Sequence, residues 1–158
     1  LPVGLNVVGD GPYRQQMMKS TADLPCVFCG YLKDDALAAA FASSDLFVFP
    51  STTDTFGNVV LEAQASGLPV IVSDQGGPRE NLQPEVTGLI VSGNDPHALA
   101  QAITRLVKQG DLRRRMAAAA RRYAEQRSFE AAFLKTWEVY RTPIVKEASG
   151  AASHWAAA

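Results

Sequence analysis

Apolar residues in this chain come in short unbroken runs, set between segments where they recur every three or four positions. LNVVG (5–9), CVFCG (26–30), LFVFP (46–50), VIVSD (70–74) and GLIVS (88–92) have strand length and close on Gly, Pro or a small polar residue. Helix-compatible stretches fall between them: one near 12–21, DDALAAAFASS (34–44), and NVVLEAQAS (58–66), which Gly67 and Pro69 stop. GGPRENL (76–82) reads as a turn and a short helix. Near-continuous apolar strands alternating with helices predict an α/β fold, a parallel sheet with helices on both faces. From Pro96 onward the pattern is helical, with Asp95 as N-cap and Pro96 in the first turn. HALAQAITRLVKQ and DLRRRMAAAARRYAEQ form two helices, and Ser128 is expected to cap a last one through Tyr140. Residues 1–141 are read as one domain, and 142–158 as a fraying tail.

Composition narrows the classes. At 158 residues and 47% hydrophobic, the chain suits one domain with a proper core. A net charge of −1 argues against a general nucleic-acid or membrane surface. No apolar run approaches the roughly 20 residues that span a bilayer. Cys26 and Cys29 form a C-x-x-C, but within a strand, where positions three apart face opposite ways. A redox C-x-x-C belongs at a helix N-terminus, and no second Cys pair or nearby His completes a zinc site. Two buried thiols in a reducing compartment are the expectation. The cluster Arg113–Arg115 with Arg121 and Arg122 reads as a solvated helix face.

The most informative chemistry lies in STTDTFGNVVLEAQASGLPVIVSD (51–74). Gly57 stands just before a helix, where a backbone without Cβ lets a ligand approach closely. The N–H groups of residues 57 to 60 and the helix dipole favour a phosphate. Glu62 is one turn in, roughly 6 Å beyond Asn58 at 1.5 Å per residue. A carboxylate there repels phosphate and is better used accepting hydrogen bonds from sugar hydroxyls. Asp54, in the loop before the turn, holds a second set of hydroxyls. Ribose, diphosphate and hexose fit that layout. The bland alternative is a turn-capping Asp54 and a solvated Glu62.

This segment resembles the donor-site signature of glycosyltransferase family four, the glycosyl transferases group 1 domain. Pro50, Ser51, Phe56, Gly57, Leu61, Glu62, Ala63, Ala65, Gly67, Pro69 and Val70 match it as they stand, and the similarity extends through VVGDGP, FCGYL, SSDLFVFPS, GGPRE and TGLIV. The resemblance implies the C-terminal, Rossmann-like half of a GT-B enzyme that transfers a hexose from a UDP- or GDP-sugar to a saccharide or lipid-linked acceptor. It implies retention of configuration and no required metal or other cofactor. Asp54 and Glu62 take the catalytic positions. Phe56, Gly57, Asn58 and Val59 line the donor site, and Tyr31 and Leu32 fall where the nucleobase lies.

The signature departs from the family at Asp54, where Glu is usual. The family's diphosphate-gripping Arg and Lys, after a strand preceding LNVVGDGP, have no counterpart. The chain is therefore expected to be the C-terminal part of a longer cytoplasmic enzyme, folding but not turning over alone. Acceptor binding and peripheral membrane contact are expected of the parent, without nucleic acid. GDGP (9–12) lacks the third glycine of a dinucleotide fingerprint, because residue 14 is Arg. Arg79 is expected in a surface ion pair, with a phosphate contact as the alternative. Neither His97 nor His154 has catalytic neighbours. A GT-B nucleotide-sugar epimerase and a non-catalytic binding module are the rival readings.

Overall fold

The computed structural model describes residues 3–127 together with residues 133, 134, 137 and 138. Five strands alternate with helices: β1 Leu5–Val8, α1 Arg14–Ser20, β2 Cys26–Gly30, α2 Asp34–Ala42, β3 Phe47–Phe49, α3 Asn58–Ala65, β4 Val70–Ser73, β5 Gly88–Val91, α4 Pro96–Lys108 and α5 Gly110–Glu125. A 3-10 turn, Pro78–Asn81, lies between β4 and β5. The chain separates into two compact units, Leu1–Ala124 and Glu125–Ala158. The helix expected from Ser128 to Tyr140, and the tail after it, lie outside the described residues apart from the four named above.

The expected parallel sheet is present in two pieces. β1 pairs with β2, and β3, β4 and β5 form a second sheet in that order, all parallel. No described strand pairs β1 with β3, so the sheet does not run through.

The three-stranded sheet is the centre of the core. Side chains alternate along a strand, so each strand feeds both faces. Val70 and Val72 of β4, with Phe47, Phe49 and Ile90, pack against Phe41 of α2 and Val60 and Ala63 of α3. Ile71, with Val48, Leu89 and Val91, packs on the other side against Leu99, Ala102, Ile103 and Leu106 of α4 and Leu112 and Met116 of α5. Positions 99, 102, 103 and 106 form one helical stripe. Asp95 caps α4 as predicted, its Oδ1 accepting the N–H groups of His97 at 2.9 Å and Ala98 at 3.0 Å.

Two surface expectations need correction. Cys26 and Cys29 are free thiols in β2, but half-buried rather than buried, because nothing described covers that sheet as it covers β4. Arg113 does not simply face solvent: its Nη1 donates to the carbonyls of Leu106 at 2.9 Å and Val107 at 3.2 Å, closing the end of α4. Arg114 pairs with Asp111 one turn away.

Candidate functional site

Because β3, β4 and β5 are parallel, their carboxyl ends share one edge, the side on which α/β sheets bind ligands. The segments leaving that edge are bound to one another. Gly77 N–H donates to Asp54 O at 3.0 Å, Arg79 Nη1 to Asp74 O at 2.8 Å, and Gly93 N–H to Asp74 Oδ1 at 2.8 Å. Arg79 thus holds a backbone carbonyl, where an ion pair was expected.

The loop before α3 is folded by its own side chains. Ser51 Oγ accepts the Asp54 N–H at 3.2 Å, and Asp54 Oδ1 accepts the Phe56 N–H at 3.0 Å. Short polar side chains favour such local bonds in turns. Asp54 is half-buried and has one oxygen engaged in this way. Gly57 then turns into the left-handed region, φ 76° and ψ 50°, and opens α3. A Cβ there would lie 2.9 Å from Pro78 Cγ, and one on Gly77 would lie 2.0 Å from the Thr55 carbonyl oxygen. The two loops therefore meet backbone to backbone.

The N–H set at the start of α3 is smaller than the sequence suggested. Val60 N–H is spent on Gly57 O at 2.9 Å, which leaves Gly57, Asn58 and Val59. Phe56 and Asn58 are exposed, and Glu62 is exposed one turn further on. The loop and helix bring Asp54, Phe56, Gly57, Asn58, Val59 and Glu62 together as one continuous feature.

Tyr31 and Leu32 belong to the edge of the other sheet. Tyr31, 75% exposed, donates its hydroxyl to Asp10 O at 3.3 Å, tying the end of β2 to the GDGP turn after β1. Among the described residues no hydrogen bond joins this pair to the loop before α3. No cluster of three or more His, Cys, Asp or Glu side chains suited to a metal occurs among the described residues either.

Two buried amides were missed in the sequence. Gln64 is fully buried on α3 and Asn81 is 3% exposed in the turn after β4. Asn81 Nδ2 donates to Phe56 O and, at 3.4 Å, to Gly57 O, while Gln64 Nε2 donates to Asn81 O at 2.6 Å. The available signal was Gln64 itself, four residues after Val60 and so on the buried face of its helix.

Parallel strands, helices on both faces of β4, and a glycine turn into a helix at the carboxyl edge define a Rossmann-like α/β domain. The chain belongs to the glycosyl transferases group 1 family, whose model matches residues 2–123. It is 37% identical over 131 residues to the sulfoquinovosyl transferase SQD2 of Arabidopsis thaliana, covering 81% of this chain and 26% of that protein. It is 47% identical over 120 residues to a GDP-mannose-dependent alpha-mannosyltransferase of Mycolicibacterium smegmatis, covering 75% and 30%. Among solved structures, the sucrose-phosphate synthase of Thermosynechococcus elongatus superposes with a TM-score of 0.76 at 30% identity, over 87% of this chain and 37% of that one. The chain thus spans less than two fifths of the length of each of these proteins.

Proposed function

We propose that this domain binds the nucleotide-diphosphate sugar of a hexosyltransferase. The observation that carries the reading is the left-handed Gly57 at the head of α3, with Asn58 and Val59 N–H groups beside it and Glu62 exposed one turn on. Such a terminus stabilises negative charge where it develops on a leaving diphosphate. Glu62 accepts hydrogen bonds from the ribose. Asp54 keeps one carboxylate oxygen in the loop and offers the other to the hexose, beside Phe56 and Gly57. Tyr31 and Leu32 take the base, which is uracil or guanine. Transfer proceeds with retention and without a metal, to a saccharide or lipid-linked acceptor held by another part of the enzyme. The two free thiols suit a cytoplasmic setting. No helix among the described residues is long and apolar enough to cross a membrane; contact of the parent enzyme with a membrane is peripheral in this reading.

Ligand-observed NMR with UDP, GDP and their hexose conjugates tests the site. One nucleoside diphosphate competes with its own sugar conjugate, and Glu62→Ala weakens both. Equal binding by parent and Glu62→Ala removes the ribose role. Absence of binding by any of these ligands removes the donor-site reading.

A further inference from the structure

We infer that Asn81, backed by Gln64, is a positioning residue that aims the N–H groups opening α3 at the donor's phosphates. The inference rests on the donor-site reading of that terminus.

Asn81 Nδ2 grips two consecutive carbonyls, those of Phe56 and Gly57. A trans peptide is planar, with its C=O and N–H pointing in opposite directions. The Phe56 carbonyl shares a peptide plane with the Gly57 N–H, and the Gly57 carbonyl with the Asn58 N–H. Drawing both carbonyls toward a buried amide therefore turns both N–H groups away from it, to the open side of the loop. Gly57 supplies the left-handed backbone that this requires, and Gly77 supplies the space beneath the loop.

Gln64 holds the main chain that carries this amide, through the Asn81 backbone carbonyl. It lies on α3 itself, two turns after Gly57, and its Nε2 donates to Asn81 O at 2.6 Å and to Val60 O at 3.4 Å. A closed ring of contacts results: α3, Gln64, Asn81, the two carbonyls and the start of α3 again. Gln64 Oε1 is buried without a partner. Filling the space alone would be done better by Leu or Met, which strand no acceptor. The donated bond to Asn81 is what the glutamine adds.

Two variants and two readouts test this. Asn81→Asp keeps the shape and sets an acceptor against the two carbonyls. Gln64→Met keeps the volume and removes the bond behind Asn81. The first readout is the ¹H–¹⁵N position of the Gly57 and Asn58 amides, with hydrogen exchange at Ile71 and Leu89 reporting the fold. The second is the affinity for UDP and GDP. In Asn81→Asp the Gly57 and Asn58 amides are expected to shift while Ile71 and Leu89 stay, and the better-bound nucleotide to lose about tenfold or more in affinity. Gln64→Met is expected to do the same to a lesser degree, and it decides the matter if Asn81→Asp does not fold. Unmoved loop amides in a folded variant overturn the inference, and so does unchanged affinity with the amides displaced. A parent chain that binds neither nucleotide sinks the donor-site reading instead, and the amides still decide whether Asn81 sets the turn.

Discussion

The β1–α1–β2 segment and the region built on β4 are made of similar sequence and end in different states. Both contain apolar parallel strands. Every residue of β4 is buried, whereas β1 and β2 have no buried residue, and Leu5, Val8 and Val27 are 52%, 42% and 58% exposed. The difference lies in cover. β4 has a strand on each side and helices on both faces, and β1 has one paired strand. A parallel strand becomes core only when its neighbours supply that cover.

Truncation of the two strands gives the largest expected contrast. Ile71→Ala removes a fully buried side chain and should cost about 2–5 kcal/mol. Leu5→Ala should cost about 0.5 kcal/mol or less. Urea unfolding measures both, and similar losses would mean that β1 is covered in solution. Hydrogen exchange should order the same way, with β1 and β2 amides exchanging well before those of β4.

Within the well-packed region, Gly77→Ala separates the site from the core. Its Cβ meets the Thr55 carbonyl at 2.0 Å, so the loop must move. The expected cost is about 1–3 kcal/mol, together with a fall in nucleotide affinity. Gly67→Ala is the control, strained by its φ of 78° but with open space around it. It should lose about 1–2 kcal/mol of stability and bind nucleotide as the parent does. Matching effects on binding would show that the stacked loops do not shape the site.

The smallest effect is expected at the exposed pair joining Glu85 to Arg105, 2.8 and 2.7 Å between their oxygens and nitrogens. Hydrogen bonds from the Arg105 guanidinium hold the Glu85 carboxyl below its ordinary value. A depressed carboxylate stabilises the fold above its unfolded pKa, and that contribution is lost as pH falls through the lower folded value. Glu85→Gln should therefore cost about 0.5 kcal/mol or less near neutrality, and nothing once the pH is below both values, because exposed pairs are screened. A larger loss, or one that persists in acid, would refute this account.

The elements themselves were legible in the sequence, because local rules set them. Gly67 and Pro69 end α3, Asp95 caps α4, and the apolar runs are strands. What was not legible depends on residues distant in sequence. The thiols of β2 were expected to be buried, because the residues tell which way a side chain points but not what lies over it. Arg79, though exposed, and the half-buried Arg113 bind main-chain carbonyls that the sequence did not point to, since a guanidinium's partner is chosen by the folded chain. The Asp54–Glu62 segment was readable as a unit because it is contiguous. Asn81 was not, because its role requires the turn after β4 to lie beneath the loop after β3.

The stacking of residues 54–57 on Gly76, Gly77 and Pro78 also limits how this domain can be re-engineered. The space a new side chain would need on either glycine is already filled by main-chain oxygens, 2.6 Å from a Cβ at Gly76 and 2.0 Å from one at Gly77. Grafting this loop from a relative therefore means moving both segments as one cassette. The turn that carries Asn81 has to travel with the loop it supports.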